Sequence, residues 1–108
     1  YVIGEGVRVI CDSAFKDCSS LESVVVPDSV TSIGNCAFYG CNSLKSITIP
    51  NGVISIGWGA FVYCNSLKSI TMSNSVASIG EGVFNGCDSL NPQIKVEIKQ
   101  RFGEKVFG

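Results

Sequence analysis

The stretch CNSLKSIT occurs twice in this chain, at Cys41–Thr48 and again at Cys64–Thr71, so eight residues return letter for letter after 23 positions. Self-similarity at a fixed period outranks any local reading of helix or strand, because it makes the repeat, not the segment, the folding unit. Aligned at 23 residues, most of the chain falls into columns. Val7, Val30, Val53 and Val76 share one, and Ile10, Ile33, Ile56 and Ile79 another. Phe15, Phe38, Phe61 and Phe84 follow, then Cys18, Cys41, Cys64 and Cys87, then Leu21, Leu44, Leu67 and Leu90. Val24, Ile47 and Ile70 form a further column, as do Val26, Ile49 and Met72, while Ala14, Ala37, Ala60 and Val83 stay small. Between these columns residues vary freely: Lys16, Tyr39, Val62 and Asn85 occupy one position.

The contrast has a physical reading. Fixed columns are apolar and must face a shared interior, whereas variable columns face water. A unit of 23 residues cannot bury its own apolar face, but stacked units build one continuous core. Laterally paired strands put residues one period apart about 4.8 Å from each other, so like stacks on like. Within a unit, SLKSITIP reads as a strand with Leu44, Ile47 and Ile49 inward and Ser46 and Thr48 outward, ended by Pro50 as Pro27 ends its counterpart. IGNCAFYGC reads as a short helical turn, with Gly34, Gly57 and Gly80 permitting a sharp bend into it. Val30–Ile33 reads as a second short extended segment on the opposite wall.

The pattern SLxSIxIPxxVxSIGxxAFxxC resembles the BspA-like, or treponemal-type, leucine-rich repeat, over about Val2 to Leu90. That resemblance implies an α/β repeat solenoid, a right-handed coil with a short parallel sheet on its concave face and short helical turns opposite. It also implies a protein-binding role at a bacterial or protozoan surface, with no catalytic residues to carry over. Residues 1–90 are then about four repeats, the first one partial. We expect residues 91–108 to break the period as a capping helix, with Asn91 as N-cap, Pro92 at the first helical position, Ile94, Ile98 and Phe102 on one face, and Gly103 as C-cap. Its four basic residues outnumber its two acidic ones, against a net negative charge in residues 1–90. The plain reading is a solvated outer face, although a basic amphipathic helix can also meet a membrane or partner.

Length, charge and composition narrow the function. One domain is expected for 108 residues. Apolar content of 45% argues against disorder, and a net charge of −1 with no basic face argues against nucleic-acid binding. No apolar run approaches the roughly 18–20 residues of a membrane helix. There is no histidine, which removes the commonest general base and metal ligand. The acidic residues are scattered over variable columns, and neither GEG, at Gly4–Gly6 and Gly80–Gly82, continues as a phosphate loop. We expect no enzyme activity and no cofactor. The chain begins at Tyr1 as the tail of a preceding unit, Ile3 aligning with Val26 and Ile49; a fragment of a longer protein is expected, with an open N-terminal edge through which copies could associate.

Six cysteines invite zinc, but a ladder at 23-residue spacing without a C-x-x-C element is not a zinc pattern. Stacked Cβ atoms near 4.8 Å are also wider than a disulfide prefers, so the ladder reads as buried free thiols. Cys11, in a column otherwise glycine, and Cys36 lie outside it, within possible reach of each other.

Two surfaces are candidates for a protein partner. The outward columns of the concave face are Glu22/Lys45/Lys68, Ser23/Ser46/Ser69 and Val25/Thr48/Thr71, a small polar platform without aromatics. The aromatics lie on the turn side instead. Trp58 stands in a column otherwise Asp12, Asn35 and Glu81; Tyr63 stands with Asp17, Gly40 and Gly86; Tyr39 neighbours Val62 one repeat along. If the turn is helical, Trp58 and Val62 share a face. An exposed cluster of Trp58, Val62, Tyr63 and Tyr39 is the expected contact patch, ahead of Ser23, Ser46, Ser69, Thr48 and Thr71. The competing expectation is a structural spacer, self-associating or inert, with no ligand of its own.

Overall fold

The computed structural model describes residues 1–108. It contains six short strands: β1 (Val9–Ile10), β2 (Ser32–Ile33), β3 (Ser46–Ile49), β4 (Ser55–Ile56), β5 (Ser69–Met72) and β6 (Ser78–Ile79). Helix α1 (Pro92–Phe102) and a 3-10 turn (Glu104–Phe107) complete it. Each rung of the solenoid adds one strand to each of two parallel sheets. One sheet runs β1-β2-β4-β6, with Ile10, Ile33, Ile56 and Ile79 in register. The other pairs β3 with β5 from Ser46↔Ser69 to Ile49↔Met72, and single bridges at Ser23↔Ser46 and Val2↔Val25 carry it to the N-terminal end. Every register offset is 23 residues, so the sequence period is the rung spacing of the fold.

Alternation decides what each strand buries. In β3, Ser46 and Thr48 are exposed while Ile47 and Ile49 are buried. The inward residues join a single core running from Ile3 to Val106. Its spine is a column of rings. Phe15, Phe38, Phe61 and Phe84 stack with centroids 5.1, 5.2 and 5.8 Å apart and planes within 4° of parallel. Tyr1 closes the column edge-on against Phe15, and Phe107 closes it tilted against Phe84. Offset stacking of this kind adds to the area term that burial alone supplies.

The third wall is helical one turn at a time. In the second rung the N–H groups of Ala37, Tyr39 and Cys41 donate three residues back, to Gly34, Cys36 and Phe38. Those of Cys36, Phe38 and Gly40 donate across to Trp58, Ala60 and Val62 of the next rung. Two positions per rung hold left-handed backbone, at Ser13, Cys36, Gly59 and Gly82 and at Asp17, Gly40, Tyr63 and Gly86. These interrupt any continuous helix and free every second donor for the neighbouring rung.

Gly34, Gly57 and Gly80 serve a different purpose from the bend expected of them. None has positive φ; each packs against the previous rung. A Cβ on Gly34 would stand 2.6 Å from the Asp12 nitrogen, and one on Gly57 2.6 Å from the Asn35 nitrogen. Close approach, not conformation, makes the column glycine.

Residues 91–108 depart from the period and then rejoin it. In repeat register, Gln93, Lys95 and Lys99 would fall in buried columns, which excludes a strand there. A helix results. Asn91 Oδ1 accepts from the Gln93 N–H at 2.8 Å, Pro92 starts α1, and Gly103 follows it at φ 85°. Ile98 is buried, with Ile94 and Phe102 partly so, against the last rung. Arg101 Nη2 donates to the Ser73 carbonyl at 2.6 Å. The expected break of period therefore ends at Gly103. That residue stands in the glycine column, and Val106 and Phe107 stand in the Ala and Phe columns. The Gly82 and Phe84 N–H groups donate to the Lys105 and Val106 carbonyls as in any other rung.

Candidate interaction surface

The single-turn geometry divides the aromatic patch expected from sequence. Tyr39 and Tyr63 meet edge-to-face at 5.6 Å, and Lys16 Nζ lies 5.3 Å from the Tyr39 ring centroid. Three rungs thus contribute to one cluster. Trp58 is 58% exposed and packs against none of these rings. Val62 is only 9% exposed, so the expectation that it shares an open face with Trp58 is corrected: left-handed Gly59 and Tyr63 interrupt the helical spacing that would align them.

Tyr63 is the unusual member. It is 49% exposed and holds φ at 59°, a conformation that costs a residue with a side chain about 1–2 kcal/mol. Its ring lies over Gly86 of the next rung, where any Cβ would meet Tyr63 Cδ1 at 2.5 Å. In the same column, a Cβ at Gly40 would collide with the Asp17 carboxylate. Large side chains alternate with glycine, each large residue leaning into the space its glycine neighbour leaves.

Trp58 interrupts a second ladder. Asp12 Oδ1 accepts from the Asn35 N–H at 2.8 Å, and Asn35 Oδ1 accepts from the Trp58 N–H at 3.1 Å. An indole cannot accept, so the ladder stops at Trp58 and its side chain projects into solvent instead.

The concave sheet presents an open groove of about 590 Å³, lined by Ser23, Ser46, Thr48, Thr71, Asp28 and Ser73 among others. Ser69 is half-buried beside Ser46 in the same sheet. Lys45 pairs with Glu22 at 3.2 Å across adjacent rungs, both side chains largely exposed, a pair worth little to stability.

All six thiols are free. Cys41, Cys64 and Cys87 are buried and donate to the Phe15, Phe38 and Phe61 carbonyls at 3.1, 3.2 and 3.0 Å. Burial pushes Cys41 up to about 11 and Cys87 up to about 12, and raises Cys64 for the same reason. Such thiols are packing groups, poor nucleophiles at neutral pH. No three His, Cys, Asp or Glu side chains converge to hold a metal ion, and no helix is long and apolar enough to cross a membrane.

Sequence reasoning passed over Lys16, whose place one rung before Tyr39 in the same column was visible. It also passed over Val2 and Val9, outward residues in columns that are elsewhere Thr or Ser.

Comparison with known proteins agrees with the rung geometry. The family model for the BspA type leucine-rich repeat region matches residues 2–108 in six copies. A leucine-rich repeat protein from Bacteroides ovatus superimposes with a TM-score of 0.80 at 36% identity, over 95% of this chain and 28% of that one. One from Bacteroides capillosus gives 0.71 at 39% identity, over 79% and 60%. The T. pallidum leucine-rich repeat protein gives 0.67 at 28% identity, over 91% and 56%. The chain thus spans less than two thirds of the length of each. No curated protein matches it. With its 23-residue rungs, paired parallel sheets and a match over nearly its whole length, the chain belongs to the BspA-type leucine-rich repeat family.

Proposed function

We propose that this chain is a protein-interaction module of a surface or secreted, adhesin-like protein, and that its contact surface is the turn wall around Tyr39, Tyr63 and Lys16, with Trp58 as an outlying anchor. The observation that carries the reading is Tyr63. A bulky aromatic held in left-handed backbone, half exposed, in a column that elsewhere carries Gly or Asp, is a local cost with no gain in core packing. Strain of that kind collects at functional positions. Paired tyrosines beside a cation, and a separate exposed indole, are the residue types that dominate protein interfaces. Catalysis forms no part of this reading, nor does a cofactor, nucleic acid or membrane insertion.

A second surface is the concave groove. Its Ser and Thr hydroxyls and the unpaired Lys68 favour a polar, extended segment of a partner, with lower affinity for want of aromatic anchors. A spacer role would leave both surfaces indifferent to substitution.

The test uses the immobilised chain and surface proteins extracted from a candidate host cell, comparing wild type with Tyr63→Gly and Trp58→Ala. Proteins held by wild type and lost with both variants, while melting temperatures stay level or rise, support the turn-wall surface. Equal capture by all three chains overturns it.

A further inference from the structure

The outward columns change character along the stack. Thr71 and Thr48 are preceded in their column by Val25 and Val2. Ser78, Ser55 and Ser32 are preceded by Val9. Val2, Val9 and Val25 are each more than half exposed. Their side chains stand off the sheets, across the stacking direction, so a rung added to the end would cover the backbone edge rather than these faces. They adjoin an apolar depression of about 250 Å³ at the end of the stack, lined by Tyr1, Ile3, Val7, Ile10, Ala14 and Phe15.

Cys11 faces this end too. It stands in the glycine column, where a Cβ at Gly34, Gly57 or Gly80 would strike the backbone of the rung before. A rung stacked here in the same register would meet Cys11 in that way. The end is thus shaped for something other than a regular rung.

The opposite end of the molecule does not fit either. There α1 lies against the last strand of its sheet, Ile94 and Ile98 beside Ile70 and Met72. Head-to-tail stacking would have to displace it. Like end must meet like end, which is the geometry of a two-fold axis. Two β1 edges related by that axis run antiparallel and can exchange backbone hydrogen bonds. The charges agree: Glu5 and Arg8 flank the apolar end, both exposed and neither in an ion pair. A two-fold axis can set each Glu5 against Arg8 of the second copy, so the rim is self-complementary.

We propose that the N-terminal end is a two-fold interface between two copies of this chain. It is separate from the tyrosine surface, and neither proposal depends on the other.

Light scattering coupled to size-exclusion chromatography, over a concentration series of the full chain, tests it. Wild type forms a dimer. Val9→Ser with Val25→Thr, the residues that later rungs carry in these columns, moves the midpoint to at least about tenfold higher concentration. Glu5→Arg and Arg8→Glu each weaken the dimer alone, and mixing the two variants restores it, because every facing pair is then of opposite sign. Unchanged far-ultraviolet circular dichroism separates these effects from unfolding. A monomer throughout the series overturns the proposal. So does a dimer indifferent to the valine changes, or a failure of the two charge variants to rescue each other.

Discussion

The two ends of this solenoid solve the same problem by different means. A stack of rungs exposes an apolar cross-section and unpaired backbone wherever it stops. At the C-terminal side the chain changes its secondary structure. Helix α1 takes the place of a strand, lays Ile98 on the last rung, and hands the chain back to the turn wall at Gly103. At the N-terminal side the chain keeps its secondary structure and changes its surface. Valine replaces Ser and Thr on the outward columns, and cysteine replaces glycine on the inner one. The interior rungs show what neither end needs to satisfy: four columns of near-identical residues with neighbours on both sides.

That contrast between interior and end can be broken experimentally. The largest effect belongs to the ring column. Phe61→Ala, with rings stacked on both faces, is expected to cost about 3–5 kcal/mol, and Phe15→Ala, half-covered at the end, roughly half as much. Urea unfolding of the two variants makes the comparison. Equal losses would mean that the end rung is as tightly packed as the middle.

The glycine column gives the next test. Gly57→Ala drives a methyl into the Asn35 backbone and is expected to cost about 1–3 kcal/mol, whereas Cys11→Gly, with no rung before it, should lie within about 0.5 kcal/mol of wild type.

A smaller effect follows from the thiols. Cys41 and Cys87 hold their protons in the fold to about pH 11 and 12, while unfolded thiols ionise near 9. Above pH 9 the unfolded state sheds protons that the folded state keeps, so stability present below pH 9 falls as pH rises toward 11. Melting temperatures across pH 8–11 read this directly, and Cys41→Ala should flatten part of the slope. The same burial predicts that a thiol reagent labels Cys11 in the native protein and spares Cys64.

Tyr63→Gly is the smallest and sharpest. Relief of left-handed strain is expected to raise stability by up to about 1 kcal/mol, offset in part by the lost Tyr39 contact. A clear loss would mean that the tyrosine is a packing residue after all.

Most of the architecture was legible because every core contact recurs at one offset, so columns of Val, Ile, Phe and Cys report burial without any knowledge of the backbone. The turn wall was less so. The spacing of Trp58 and Val62 implies a shared face only in a continuous helix, and the left-handed residues that interrupt it include Cys36 and Tyr63, types that do not announce that conformation. The return of the period was on the page in another form: GEGVFNG at 80–86 and GEKVFG at 103–108 differ by little. The intervening helix, which keeps the residue count while abandoning the pattern, concealed the match.

The division of backbone hydrogen bonds in the turn wall has a mechanical meaning. Half close single turns within a rung and half tie it to the next, so a rung pulled from the end gives up its ties to one neighbour only. A tether carrying this domain under load would then lengthen in discrete steps of roughly 80 Å, the contour of 23 extended residues. Single-molecule extension should show that spacing, with force nearly constant from step to step. For a protein held between a cell and whatever it grips, such a stack is a shock absorber graduated in rungs.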